Sequence, residues 1–522
     1  MRPERWQPPV ELSAAEQAIV KRIRRAKLFI FLRRHRHELF DEAFQQEMAA
    51  TYGEGEEGQP PIPPAQLGLA VLLQAYTGVS DDEVIETCVM DRRWQLVLDC
   101  VDCDQAPFSK GTLVAFRGRL IAHELDRCLV ERTVALAAQS GEVGSRQLRG
   151  ALDSSPLWGA GRVEDTYNLL GHALRKALGV IARQQGWELA AVAEAAGASA
   201  VAASSLKAAL DLDWDDPQAQ RQALAVVLTM LETVEGWLSQ QPAEVQREGA
   251  VQASLAAAHQ VEAQDVVNTP PGSPTLRQGV APDRRISIED AEMRHGRKSK
   301  SQLIDGYKRH VLRDLDTGLV RAVGITAANQ PEASVTDAIA ADLAAQGATL
   351  SELHIDRAYL SSILVKQRPP ELMIYCKAWP VQPSDCFTKE AFTLDWERGQ
   401  MRCPNGIDMP FTPGDTVHFP AKQCQVCPLH AQCTPSSRGR SVSVHEDEVL
   451  LAELRQRQLT AAGRAKLRER VDVEHSLAHI GFWQGWRARY RGIRKNLFDL
   501  RRCAVINNLH ELARQPAFAN AA

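Results

Sequence analysis

The stretch Gln147-Leu148-Arg149-Gly150-Ala151-Leu152-Asp153 reads as a short β-strand that ends on a carboxylate. A second run, Leu353-His354-Ile355, ends on Asp356 in the same way. A third acid, Glu474, lies on the helical stretch Arg468-Glu469-Arg470-Val471-Asp472-Val473-Glu474, where Leu467, Val471 and Glu474 share a face and Arg470 stands one turn before the acid. A face mixing apolar residues with Arg and Glu is partly buried, so Glu474 needs a partner: Arg470, a metal, or both. Each acid also has an ordinary local explanation. Asp153 can form a turn before Ser154-Ser155-Pro156, Asp356 can cap a following helix, and Glu474 can be one more exposed carboxylate. If the three converge, they offer few, hard oxygen ligands for a pair of Mg²⁺ ions and leave positions for water and phosphate.

Length and charge narrow the surroundings of this trio. At 522 residues, with 44% hydrophobic and 24% charged residues, the chain has material for two to four domains. Charges interrupt every apolar run before about 18 residues, which predicts no membrane span. The N-terminus shows no secretory signal pattern, so the expected location is cytoplasmic. A net charge of −4 conceals basic clusters. Segment 21–37 holds Lys21, Arg22, Arg24, Arg25, Lys27, Arg33, Arg34 and Arg36 without an acid; 285–313 holds Arg294, Arg297, Lys298, Lys300, Lys308, Arg309 and Arg313. Segment 487–502 sets Arg487, Arg489, Arg491, Arg494, Lys495, Arg501 and Arg502 against Asp499 alone. Three such clusters, two of them near the acids, predict a nucleic-acid partner.

The pattern of elements predicts an α/β core carrying several additions. Residues 1–140 read as an all-α domain for DNA binding or pairing, with Ser80 and Glu83 forming a capping box. First core strands follow in 141–164, then a helical insertion over 165–268, closed by the Pro/Gly-rich linker 269–274. The core resumes over 283–375, with Asp314-Leu315-Asp316-Thr317 as a hairpin turn and a helix at about 334–346. A Cys-rich insertion (376–445) and a C-terminal part with the Glu474 helix and a basic tail (446–522) complete the chain.

The chain has 11 cysteines, and four of them crowd together. Cys424-x-x-Cys427 with Cys433 downstream and Cys403 upstream has metal-ligand spacing, and four thiolates would close a structural Zn²⁺ site. Cysteine as a small core residue is the alternative. Cys100-x-x-Cys103 has no second pair and is discounted.

Several motifs recur in one order. They are Tyr76-Thr77-Gly78-Val79-Ser80-Asp81-Asp82-Glu83, Phe108-Ser109-Lys110-Gly111-Thr112-Leu113, Asp290-Ala291-Glu292-Met293-Arg294-His295-Gly296-Arg297-Lys298, Gly306-Tyr307-Lys308, Thr326-Ala327-Ala328-Asn329, His354-Ile355-Asp356, Val473-Glu474 and Arg489-Tyr490-Arg491-Gly492-Ile493-Arg494-Lys495. In this order they resemble bacterial insertion-sequence transposases of the DDE class, in particular the group named after insertion sequence 1182. The resemblance implies a ribonuclease H-like mixed sheet with Asp153, Asp356 and Glu474 as catalytic ligands of Mg²⁺ or Mn²⁺. It implies a double-stranded DNA partner (transposon ends and target), a homodimer on DNA, and a nucleoid-associated state when bound. Arg470, Lys298, Lys300, Lys308, Arg489, Tyr490, Arg491 and Lys495 are the expected DNA contacts; Tyr307 and Tyr490 could stack on displaced bases, but ordinary half-buried packing is the favoured reading for both. Related transposases often carry a tyrosine seven residues before the glutamate and a lysine seven after it; here Leu467 and Gly481 stand there. That departure is what one rival can cite, a domesticated or decayed copy that binds DNA without cutting; a second rival, a non-transposing nuclease of the same fold, has the N-terminal domain and the full-length motif order against it.

Overall fold

The computed structural model describes residues 1–55, 59–139, 147–269, 273–298, 301–379 and 385–519. Lys300 and the linker residues 270–272 lie outside the described residues.

A mixed sheet organises the molecule. Its strands are Gln147–Trp158 (β1), Arg294–Arg297 (β2), Leu303–Asp314 (β3), Val320–Ala327 (β4), Thr349–Ile355 (β5) and Met373–Tyr375 (β6). β1 is central, antiparallel to β3 on one side and parallel to β5 on the other, with β6 parallel beyond β5. The outer edge of β3 takes β2 along its first residues and β4 along the rest. The β3–β4 turn is the expected one. Asp314 accepts bonds from the Asp316 amide at 3.1 Å and the Thr317 hydroxyl at 2.8 Å, and Gly318 supplies the positive φ of 76° that the reversal needs.

β1 departs from its expected length. It does not stop at Asp153 but runs on to Trp158, because β3 continues to pair with it as far as Gly306. Only the parallel ladder stops, at Leu152 opposite Ile355. From Asp153 to Leu157 β1 has a neighbouring strand on one side only, which is where a strand tolerates Pro156, and Trp158 then bridges to Arg487. Asp153 and Asp356 therefore follow the last rung of the ladder on adjacent strands.

Between β1 and β2 the chain forms helices from Thr166–Gln185 to Gly249–Asp265 with a hydrophobic core of their own. The expected linker after these helices is instead flanked by a short hairpin, Val266–Thr269 against Ser273–Leu276. The Cys-rich segment carries small strands and its own cluster around Phe392, Met401, Val417, Phe419 and Val442.

The N-terminal helices and the C-terminal tail share a core. Helix Ile493–Arg514 buries Phe498, Val505, Ile506, Leu509 and Leu512 in the same core as Phe29, Leu72, Trp94, Phe116 and Leu129 of the N-terminal helices. Its other side covers the sheet through Leu500, Cys503 and Ala504, packed with Val320 and Val323. One helix thus belongs to both cores. No helix among the described residues is long and apolar enough to cross a membrane.

Candidate active site

Asp153 is 8% exposed, and burial pushes its carboxyl above the usual range, against the pull of Arg470, the Ser154 amide and Lys298. Asp356 contributes to the same rise as a neighbouring negative charge. It ends β5 as an exposed residue, and its Oδ1 accepts the Ala358 amide at 2.6 Å, so it caps the short turn Arg357–Tyr359 while facing the other acid.

Glu474 arrives on a helix that packs against the sheet through Val473, Leu477 and Ile480. The single helix expected here is two: Ala461–Glu469 ends and Val471–Gln484 begins, with Arg470 at the junction. Arg470 donates through Nη1 to Asp153 Oδ2 and through Nη2 to Glu474 Oε1 at 2.9 Å. Its guanidinium thus ties the first and third acids together. The Glu474 side chain is 50% exposed and Val471 is exposed too, so the face expected to be partly buried lines an open cleft. The buried face of this helix is Val473, Ser476, Leu477 and Ile480.

A second set of charges fixes the elements that carry the acids. Arg149 on β1 donates to Glu352 on β5 at 2.9 Å and also to Glu469 at the helix end. Lys466 reaches both Glu352 oxygens at 3.0 Å, and buried His354 Nε2 lies 3.0 Å from Glu352. Burial would raise the Glu352 carboxyl, but His354, Arg149 and Lys466 hold it down to about 2. Glu352, His354 and Glu469 form the one group of potential metal-binding atoms among the described residues that lie within 4.8 Å of each other. Arg149 and Lys466 already balance those acids, so the group is an ion-pair clamp. Arg149 precedes Asp153, Glu352 precedes Asp356 and Glu469 precedes Glu474, each by four or five residues. Clamping these three points fixes how the acids meet.

A cleft of about 770 Å³ is lined by Asp356, Arg470 and Glu474, but not by Asp153, together with Arg357, Lys377, Trp379, Arg464, Leu467 and Arg468. Arg357, Lys377, Arg464 and Arg468 were not singled out from the sequence, since isolated cations carry no pattern. Of the expected contacts, Lys298 is close: its Nζ donates to the Ser154 carbonyl at 2.8 Å, beside Asp153. Lys308, Arg489 and Arg491 make bonds within the protein. Lys308 is buried and donates to the Gln330 carbonyl at 2.9 Å. Arg489 reaches the carbonyl of Gly78 at 3.0 Å, Arg491 pairs with Glu289, and Tyr490 lies edge-on to Phe498 with ring centroids 6.2 Å apart. Lys495 is exposed. Tyr307 is fully buried, its hydroxyl donating to Asp290, and cannot reach a base.

Gly481 has a steric reason. A Cβ there would stand 3.0 Å from Nη2 of buried Arg309. A lysine at this position would displace that guanidinium, which bonds Ser155 Oγ at 2.7 Å and the Gly485 carbonyl at 2.9 Å.

Cys403, Cys424, Cys427 and Cys433 line one small cavity in the Cys-rich segment. Backbone amides donate to two of the sulfurs, Ile407 to Cys403 and Leu429 to Cys427, each at 3.4 Å. Burial pushes the Cys433 thiol up, and the other three thiols add to that rise. The four cysteines thus share one cavity, and two of their sulfurs accept amide bonds.

Two parts of the chain match families of mobile-element proteins. Residues 20–119 match the family model described as a transposase domain (DUF772), and residues 402–513 match the one described as a transposase DDE domain. Transposase domains thus stand near both ends of the chain, and together they support an insertion-sequence DDE transposase. The second match contains Arg470 and Glu474; Asp153 and Asp356 lie outside both. No curated protein and no solved structure matches the chain.

Proposed function

We propose that this chain is an active DNA transposase of the insertion sequence 1182 group, which binds the terminal inverted repeats of its own element and cuts and joins DNA there. The observation that carries the reading is the register of the sheet: the last parallel rung, Leu152–Ile355, sets Asp153 and Asp356 side by side, and Arg470 joins Asp153 to Glu474. Three carboxylates on rigid elements are a donor set suited to Mg²⁺ or Mn²⁺. The strand order, an antiparallel run β1–β3–β4 with parallel β5 and β6 on the other side of β1, supports a ribonuclease H-like core.

Asp153, Asp356 and Glu474 would hold the ions, which when bound supply activation of water or a 3′ hydroxyl and stabilisation of the leaving oxygen. The protein's own residues do the positioning. The clamp of Arg149, Glu352, Lys466 and Glu469 keeps the three acids in place, and Arg470 neutralises two of them until a phosphate or cation competes for the same oxygens. Arg357, Lys377, Arg464 and Arg468 give the cleft the positive wall along which a phosphodiester backbone lies. A dimer on DNA and a nucleoid-associated location follow from this reading.

The decayed-copy reading draws on Leu467 and Gly481. Against it, all three acids are intact, and Gly481 stands where a Cβ would come 3.0 Å from the Arg309 guanidinium. The full chain, incubated with Mg²⁺ and a duplex carrying the ends that flank its own coding sequence, is expected to nick at those ends, and EDTA to stop it. A band shift with no nicking in Mg²⁺ or Mn²⁺ would favour the decayed copy.

The same reading includes structural Zn²⁺ on Cys403, Cys424, Cys427 and Cys433. Purified protein is expected to carry stoichiometric zinc, Cys424→Ser to lose it, and chelation to lower the melting temperature. Zinc-free protein with unchanged melting after chelation would remove the ion from the proposal.

A further inference from the structure

The parallel ladder between β1 and β5 has its last rung at Leu152 and Ile355, and Asp153 and Asp356 come one residue beyond it. Two carboxylates side by side repel, and the charge of Asp356 adds to the rise of Asp153. The ion-pair clamp of Arg149 and Glu352 acts ahead of the acids. Past the ladder a different device joins the strands: a buried chain of side-chain hydrogen bonds.

Tyr359 ends the turn that follows Asp356 and is fully buried. Its hydroxyl lies 2.8 Å from Nδ1 of His310 on β3, and Nε2 of that ring lies 2.9 Å from the Thr326 hydroxyl on β4. His310 is fully buried too, and burial, helped by Lys308 and Lys298, holds it down to about 3. The ring is therefore neutral at ordinary pH, with one nitrogen donating and the other accepting, so both bonds are made at once. In the β1–β3 register His310 stands opposite Ser154, the residue after Asp153. Ser154 is itself held three ways. Its hydroxyl donates to Glu332 Oε1 at 2.9 Å, its carbonyl accepts from Lys298 at 2.8 Å, and its amide donates to Asp153 Oδ1 at 2.8 Å. Burial first, then the charges of Glu332, Asp153 and Asp356, push the Tyr359 phenol well above its ordinary value, so it stays protonated.

The turn that Tyr359 anchors also aims Asp356. Asp356 Oδ1 accepts the Ala358 amide at 2.6 Å, and the Tyr359 amide donates to the Asp356 carbonyl at 3.2 Å. Strand alternation puts Ser154 and His310 on the face of the sheet away from Asp153. There Tyr359 packs with Leu152, Leu312 and Ile355. The acids are thus held from behind, through the sheet.

We propose that Tyr359, acting through His310, is a positioning residue of the metal site: its hydroxyl ties the end of β5 to β1 and β3 past the last backbone rung and so sets the Asp356 carboxylate against Asp153. This rests on the reading of those acids as Mg²⁺ or Mn²⁺ ligands. A phenylalanine would fill the same space with no buried polar atom to satisfy, so what the hydroxyl adds is the bond to His310.

The test is Mn²⁺ binding to the full chain, read from the free-ion signal in electron paramagnetic resonance, beside melting in EDTA. Wild type is expected to bind Mn²⁺ and Asp153→Asn to lose that binding. Tyr359→Phe and His310→Leu are expected to bind about ten- to a hundredfold more weakly, the loss typical of residues that orient metal ligands. His310→Asn, whose amide can meet the phenol near the place of Nδ1, is expected to bind more tightly than His310→Leu. Leu343→Ala hollows the same core without removing a polar group; it is expected to lower the melting temperature and keep wild-type affinity. Tyr359→Phe or His310→Leu at wild-type affinity overturns the brace and leaves the assignment of the acids standing. A loss of affinity that Leu343→Ala shares assigns the effect to packing and also overturns the brace. Wild type that binds no Mn²⁺, or binding that Asp153→Asn leaves unchanged, overturns the brace together with the metal-site reading beneath it.

Discussion

Asp153→Asn is expected to abolish Mg²⁺-dependent cleavage while leaving the metal-free protein as stable as wild type or more so. The two effects have one origin. Asp153 is buried on β1, and burial raises its carboxyl above the ordinary value despite Arg470 and Lys298. A raised carboxyl means that the folded state binds the proton more tightly than the unfolded chain. The stability linked to this group is therefore fully present below the unfolded value near 3.8 and is lost as pH rises through the higher folded value. At neutral pH the charge is a cost to folding that function requires, and the neutral amide removes it. Asp356→Asn and Glu474→Gln, at exposed positions, are expected to lose cleavage with little change in melting temperature. Rate losses of about 10³-fold or more are expected for each, since a ligand lost from a phosphoryl-transfer site removes several kcal/mol of charge stabilisation. Melting in EDTA and a nicking assay on the same preparations check both halves. An Asp153→Asn protein that still cuts would end the assignment of Asp153; one that melts well below wild type would show that the Arg470 ion pair outweighs the burial of the charge.

What could be read from the sequence follows from how far each signal reaches. Asp153 and Asp356 were legible because a short apolar run ending in an acid is a local pattern. Their adjacency was not, since it depends on a parallel pairing between segments about 200 residues apart. The expectation that β1 stops at Asp153 failed for the same reason: β3, far along the chain, extends it to Trp158. Basic clusters misled where sequence cannot tell a charged surface from a buried network. In segment 21–37, Arg33 bonds Glu16 at 2.6 Å and Arg36 bonds the Val97 carbonyl at 3.0 Å, both inside the protein, while Lys21, Arg22, Arg24, Arg25 and Lys27 stay exposed. The tail gave one usable hint. Residues 493–514 have apolar positions on several sides and no clean polar face, the pattern of a helix surrounded by protein.

That helix makes the second large effect. Asp126→Ala is expected to destabilise the fold by about 3–5 kcal/mol, because it strips the shared acid from two buried or half-buried arginines. Asp126 is 1% exposed in the N-terminal helix Leu125–Gln139. It accepts from Arg494 at 2.5 and 2.9 Å and from Arg501 at 3.2 Å, both on the Ile493–Arg514 helix. Asp342, 3.4 Å from Arg501, would be left as the only acid for that guanidinium. Denaturant unfolding should show a single transition moved to lower concentration, with N-terminal and C-terminal helices lost together because they share one core. Arg22→Ala, in the exposed part of the basic segment, is expected to stay within about 0.5 kcal/mol of wild type and serves as the control. If Asp126→Ala unfolds only the N-terminal helices, leaving the sheet and the Glu474 helix protected from protease, the two regions are separable after all. If both go together, the acids depend on packing more than 300 residues away in sequence, since the helix that anchors the N-terminal part also covers the sheet carrying Asp153.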